Sequence, residues 1–212
     1  PQRLERLLYL EGDSILADNT KNTLEVPSAG RLLVSDRSQQ ASSQTPPGDR
    51  VDLMGSRSRG DTLFSWTGSL LLKRDEGAVT LDQGVRMTHE DAGGGLTELE
   101  SQRLVATFIE TEAGVIASPA AQGSATPFAA SLRTVTASGA AWMRSAGREM
   151  AGDSLAFDAA NQVVTALPPP NGTVVLLDPT QGAGPVRADS LLWDLRANRV
   201  EAKGIRTIVA PR

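Results

Sequence analysis

Ala188-Asp-Ser-Leu-Leu-Trp-Asp194, followed after a polar turn by Asn198-Arg-Val200, decides the fold, because the chain writes it three times. The other copies are Gly12-Asp-Ser-Ile-Leu-Ala-Asp18 with Asn22-Thr-Leu24, and Gly152-Asp-Ser-Leu-Ala-Phe-Asp158 with Asn161-Gln-Val163. Repetition of this kind marks a supersecondary unit that buries its apolar face by stacking on its neighbours. In an extended chain side chains alternate, so Leu155 shares a face with Phe157, Leu191 with Trp193, and Ile15 with Ala17. Asp158 and Asp194 suit the first position of a turn, where a carboxylate accepts backbone N–H bonds, and the following Asn tolerates the left-handed conformation that ends it. Each copy is therefore expected to be a β-hairpin. The aspartates are read as turn formers rather than metal ligands, since no dense set of oxygen donors surrounds them. Weaker relatives fall at Ser69-Leu-Leu-Leu-Lys-Arg-Asp75, followed by Val79, and around Arg103-Leu-Val-Ala-Thr-Phe108.

The rest of the chain extends the same reading. Leu70 and Leu72, Val79 and Leu81, Val85 and Met87, and Leu132, Thr134 and Thr136 alternate as a half-buried sheet face requires. Thr173-Val-Val-Leu-Leu177 is expected to be covered on both faces. Turn signals fall at Glu76-Gly77, Gln83-Gly84 and Asn171-Gly172. Leu4, Leu7 and Leu8 would form one stripe of a short leading helix. Residues 36–61 hold almost no apolar side chains to offset ordering entropy and are expected to be a flexible insertion. Residues 113–130 and 178–185 read as further loops. Residues 1–212 are taken as a single repeat-built all-β domain, either complete as it starts at Pro1 or a piece of something longer.

Composition narrows the function classes. The 21 basic and 25 acidic residues give a net charge of -4, so no basic field draws the chain to nucleic acid or an anionic membrane. Lys21, Lys73 and Lys203 are the only lysines, which leaves the positive charge mainly to Arg and its fork-shaped guanidinium. Without cysteine there are no disulfides or thiolate metal sites. No apolar run approaches the about 20 residues needed to span a bilayer.

Catalytic chemistry finds little to stand on. His89 is the one histidine, and His89-Glu-Asp91 before Gly93-Gly-Gly95 is expected to be a solvated loop without the oriented partner that general-base work requires. That glycine run has no Lys and no following helix, so it is not a phosphate loop. Asp75-Glu76 and the Glu110 to Glu112 pair read as solvated hairpin ends rather than a glycosidase pair. Trp66, Trp142 and Trp193 with Phe64, Phe108 and Phe157 either form ordinary core or line a ligand groove. No catalytic residue, metal or cofactor is expected.

The hairpin of residues 188–204, with a small residue, Asp-x-Leu-x-aromatic-Asp, a short turn, Asn-x-Val and a later Gly, resembles that of the OstA/LptA-like lipopolysaccharide-transport proteins, LptC and the N-terminal domain of LptD included. The likeness is clearest over 132–212 and extends to 8–34; the middle matches in general character. It implies an all-β fold of stacked antiparallel hairpin repeats, a β-jellyroll or β-taco, whose apolar groove shields acyl chains in the periplasm. Ile15, Leu155, Phe157, Leu191 and Trp193 would line that groove. The partners implied are a lipopolysaccharide-like glycolipid and other β-jellyroll modules, the latter joined by edge-strand addition through a terminal strand over 204–210. The sequence departs from the pattern at the 36–61 insertion and at Pro168-Pro-Pro170. The competing reading is a structural or adhesion-type β-repeat with a dry, packed interior.

Overall fold

The computed structural model describes residues 6–36, 60–91, 93–109, 131–179 and 184–208. The first strands are β1 (Arg6–Gly12), β2 (Leu16–Asp18), β3 (Thr23–Val26), β4 (Gly30–Asp36), β5 (Gly60–Trp66) and β6 (Ser69–Lys73). Four long strands follow: β7 (Ala78–Asp91), β8 (Leu96–Ile109), β9 (Ser131–Ser145) and β10 (Arg148–Asp158). The last described strands are β11 (Val163–Leu167), β12 (Val174–Leu177), β13 (Val186–Ala188), β14 (Ser190–Asp194), β15 (Arg199–Lys203) and β16 (Thr207–Ile208). Every pairing among them is antiparallel.

One sheet branches and doubles over on itself. The first part of β7 pairs with β6 and its last part with β5; likewise the first part of β10 pairs with β12 and its last part with β11. The first layer thus runs β1-β4-β5, through one half of each of β7 to β10, to β12-β13-β16. The second runs β2-β3-β6, through the other halves, to β11-β14-β15.

The four long strands belong to both layers and bend where they pass between them. Their pairing slips at Asp82/Val85, Glu100/Arg103 and Gly152/Ser154. Gln83 (φ 66°), Gly84 (55°), Gly139 (78°) and Ala140 (54°) adopt left-handed backbone there. Extra residues of this kind concentrate twist and bend a strand. The short strands change layer at the same level, and crowding selects the small residue that opens each repeat. A Cβ on Gly152 would lie 2.6 Å from the Leu167 carbonyl oxygen, and Ala188, its counterpart, is fully buried.

Between the layers lies one hydrophobic core. In the second layer Leu72, Val79, Ala106, Val135, Phe157, Val164 and Trp193 stand in register across successive strands. A parallel row runs Leu70, Leu81, Leu104, Ala137, Leu155, Ala166 and Leu191. The facing row of the first layer is Leu32, Phe64, Met87, Leu99, Met143, Met150 and Leu176.

Several local expectations need correction. The leading segment is a strand: pairing with β4 turns Leu8 and Leu10 to the core and leaves Leu7 and Tyr9 exposed, while Leu4 lies outside the described residues. Gln83-Gly84 is the bend inside β7, not a hairpin turn. Val174 and Leu176 are buried but Leu177 is exposed, so that strand is covered on one face. In the second repeat copy the left-handed residue is Gln162 (φ 56°), one later than Asn161, and the core residue is Val164 rather than Val163. In the weaker copy at β6, Lys73 stands where the others carry Asp and binds Glu76 at 2.8 Å, with Gly77 (φ 55°) ending the turn. Pro168 to Pro170 occupy the passage from β11 to β12 and interrupt neither strand. Of the expected terminal strand, Thr207–Ile208 pair with β13 and Gly204 bends at φ 64°. Residues 37–59, 113–130 and 209–210, on which other expectations fall, lie outside the described residues.

Candidate functional site

The interior between the layers gathers four of the five residues expected to line a groove. Leu155 and Leu191 flank Ala166, and Phe157 and Trp193 flank Val164, in two adjacent rows. Large and smaller side chains alternate across these strands, and the four expected residues are 0–5% exposed. Ile15 does not join them. It is 48% exposed in the bend before β2, whose pairing begins at Leu16.

The turns that close the repeat hairpins line the outer rim of the second layer and share one geometry. Asp18 accepts the N–H groups of Thr20 and Lys21, Asp158 those of Ala160 and Asn161, and Asp194 those of Arg196 and Ala197, all at 2.9–3.2 Å. The Thr20 hydroxyl at 2.6 Å, ahead of the Lys21 N–H, draws the Asp18 pKa down to about 2. Asp158 is lowered too, first by the backbone N–H of Asn161 and then by its side-chain amide. Neighbouring turns are laced together by Leu195 N–H to Gln162 O at 3.0 Å and Arg196 Nη2 to Ala160 O at 2.7 Å.

The opposite rim carries what the sequence reading missed. Thr62, His89, Thr97, Ser145 and Arg148 sit in register on β5, β7, β8, β9 and β10, all pointing inward, and Asp178 follows β12 beside them. Thr62 Oγ1 lies 2.8 Å from His89 Nδ1, and Thr97 Oγ1 lies 2.7 Å from Ser145 Oγ. His89 is thus not in a solvated loop: it is 2% exposed within a strand that continues to Asp91. Its signal was available, since it extends the alternation Val85, Met87. Across from this row, inside the turns of the other rim, Leu195 is buried and Phe108 and Ala159 pack on the core.

Arg148 joins the two rims. Its Nε donates to Asp178 Oδ2 at 2.7 Å in its own layer, and its Nη1 donates to the carbonyl oxygen of Asn198 at 2.9 Å in the other. The same nitrogen also binds Asn198 Oδ1. The guanidinium lies 5.8 Å from the centroid of the Trp193 ring, whose Nε1 donates to Asn198 Oδ1 at 3.4 Å. Arg148 and Asp178 side chains are only 14% and 7% exposed, so this ion pair is largely withdrawn from water. Among the described residues no three His, Asp or Glu side chains form a group able to hold a metal. No described helix is long and apolar enough to cross a membrane.

The doubled sheet, the bends shared by its long strands and the apolar interior define a β-jellyroll of the LptA-like type, formed from stacked antiparallel hairpins. One solved structure with this fold is that of LptH, the LptA-homologous periplasmic component of the lipopolysaccharide transport device of Pseudomonas aeruginosa. It superposes with a TM-score of 0.50 over 84% of this chain and 99% of that one, at 13% sequence identity. No protein-family model and no curated protein sequence matches the chain.

Proposed function

We propose that this chain is a non-catalytic periplasmic module that shields the acyl chains of a lipopolysaccharide-like glycolipid between its two layers. The observation that carries the reading is that unbroken apolar rows line both layers, while a polar inward row stands at one rim only. An amphipathic molecule matches that asymmetry, with its hydrocarbon inside and its headgroup at the polar rim. Each buried CH₂ contributes about 0.8 kcal/mol. Leu155, Phe157, Leu191 and Trp193 are the proposed contacts; Ile15 would contribute only at the open end. Because the inward side chains cover one another, hydrocarbon enters as the layers part, and the bends through Gln83-Gly84 and Gly139-Ala140 are the natural hinge.

The likeness to LptH supports the same reading through fold alone. Among the described residues, β1 and β2 at one end and β15 and β16 at the other each pair on a single side, which would leave backbone groups for strand addition. Another β-jellyroll module is the proposed partner there. The tightly covered core favours a second reading, a structural or adhesion-type repeat with a dry interior. Native mass spectrometry with lipid extraction decides between them: co-purified acylated glycolipid supports transport, whereas lipid-free protein that also takes up no added lipid A analogue supports the dry repeat.

A further inference from the structure

We infer that Arg148 is a latch across the mouth of the folded sheet, and that its release from Asn198 is the step that admits the ligand, an inference that rests on the glycolipid reading above. The other polar pairs of the rim, Thr62 with His89 and Thr97 with Ser145, lie within the first layer. Arg148 instead reaches the second layer, binding both the carbonyl and the side-chain oxygen of Asn198. Asp178 holds the guanidinium from behind at 2.7 Å, so the charge stays with the first layer whether the latch is open or shut. A guanidinium fork suits this division, because its planar donors serve a carboxylate on one side and a neutral acceptor on the other.

The three repeat turns provide an internal comparison. At equivalent left-handed positions, the Asn22 amide bonds Asp75 of the neighbouring turn at 2.8 Å and the Gln162 amide bonds its own turn at Ala159 O, also 2.8 Å. In the third copy the amide oxygen accepts instead from Arg148 of the other layer. It does so above Trp193, the largest side chain that is fully buried, and the ring is covered by the same guanidinium. Moving Arg148 away from Asn198 therefore uncovers the end of the apolar row without breaking either layer's ladder.

The bond to Asn198 Oδ1 is assisted by charge and its loss shifts an equilibrium by about tenfold. Asn198→Gly removes it and keeps the turn, because Gly accepts the φ of 48° at no steric cost. The chain has no cysteine, so in a Ser145→Cys background the rate of labelling by an uncharged maleimide reports exposure of the mouth. Asn198→Gly should raise both that rate and the association rate of a fluorescent lipid A analogue about tenfold, while Asn22→Gly should change neither. Equal rates in Asn198→Gly and its parent overturn the latch. Faster labelling with no lipid bound by any variant keeps the latch as a gate and overturns the glycolipid reading instead.

Discussion

Asp18 and Asp158 show how single carboxylates fix this fold. Both have folded-state pKa values below the unfolded value of about 3.9, Asp18 falling to about 2. A lowered pKa stabilises the folded state above the unfolded pKa, and the contribution is lost as pH falls through the folded one. Urea midpoints should therefore drop as pH falls from about 4 toward 2, and the Asp18→Asn/Asp158→Asn double variant should show a flatter decline. An identical decline in the variant would remove these turns as the cause. Turn chemistry was legible in the sequence because Asp and Asn act over a few residues. It failed by one position at the second copy, where Asn161 is the better left-handed residue by type yet the pairing of Val164 with Phe157 places Gln162 there. Gln162→Gly should accordingly raise stability by about 0.5–1 kcal/mol in denaturant unfolding; a loss would mean that its amide bond to Ala159 outweighs the strain.

The hairpins themselves were legible because alternation and the closing Asp turn recur in each repeat, although in the first copy the apolar pair Ile15 and Ala17 is exposed. The bends of β7 to β10 were not: Gln83-Gly84 has the same left-handed chemistry as a hairpin turn, and only the pairing with β5, β6 and β8 makes it a strand-crossing bulge. The leading strand misread as helix has the same origin, since a leucine stripe is compatible with both periods until β4 selects the extended one. Gly152 tests the bend directly. A methyl group there would crowd the Leu167 carbonyl at 2.6 Å, so Gly152→Ala should cost about 1–3 kcal/mol. A neutral substitution would show that the layers can separate at this point without strain.

The doubled sheet brings together residues that no local pattern connects. Leu155, Phe157, Leu191 and Trp193 could be placed on one face from the repeat alone, but the polar rim and the Arg148–Asn198 contact, 50 residues apart in sequence, appear only once the layers are formed. Among the described residues the strands at both ends pair on one side, so the proposed edge addition predicts concentration-dependent association in sedimentation velocity, and a monomer at every concentration would exclude pairing between copies of this chain. The most direct test of the glycolipid account uses adjacent residues on opposite faces of β10, Phe157 buried and Ala156 exposed. Each is replaced in turn by a photoreactive phenylalanine analogue, and the protein is irradiated with lipid A analogue and resolved by mass spectrometry. Crosslinked lipid at position 157 with none at 156 is the predicted result; a lipid adduct at neither position, or equally at both, would contradict an acyl-chain site between the layers.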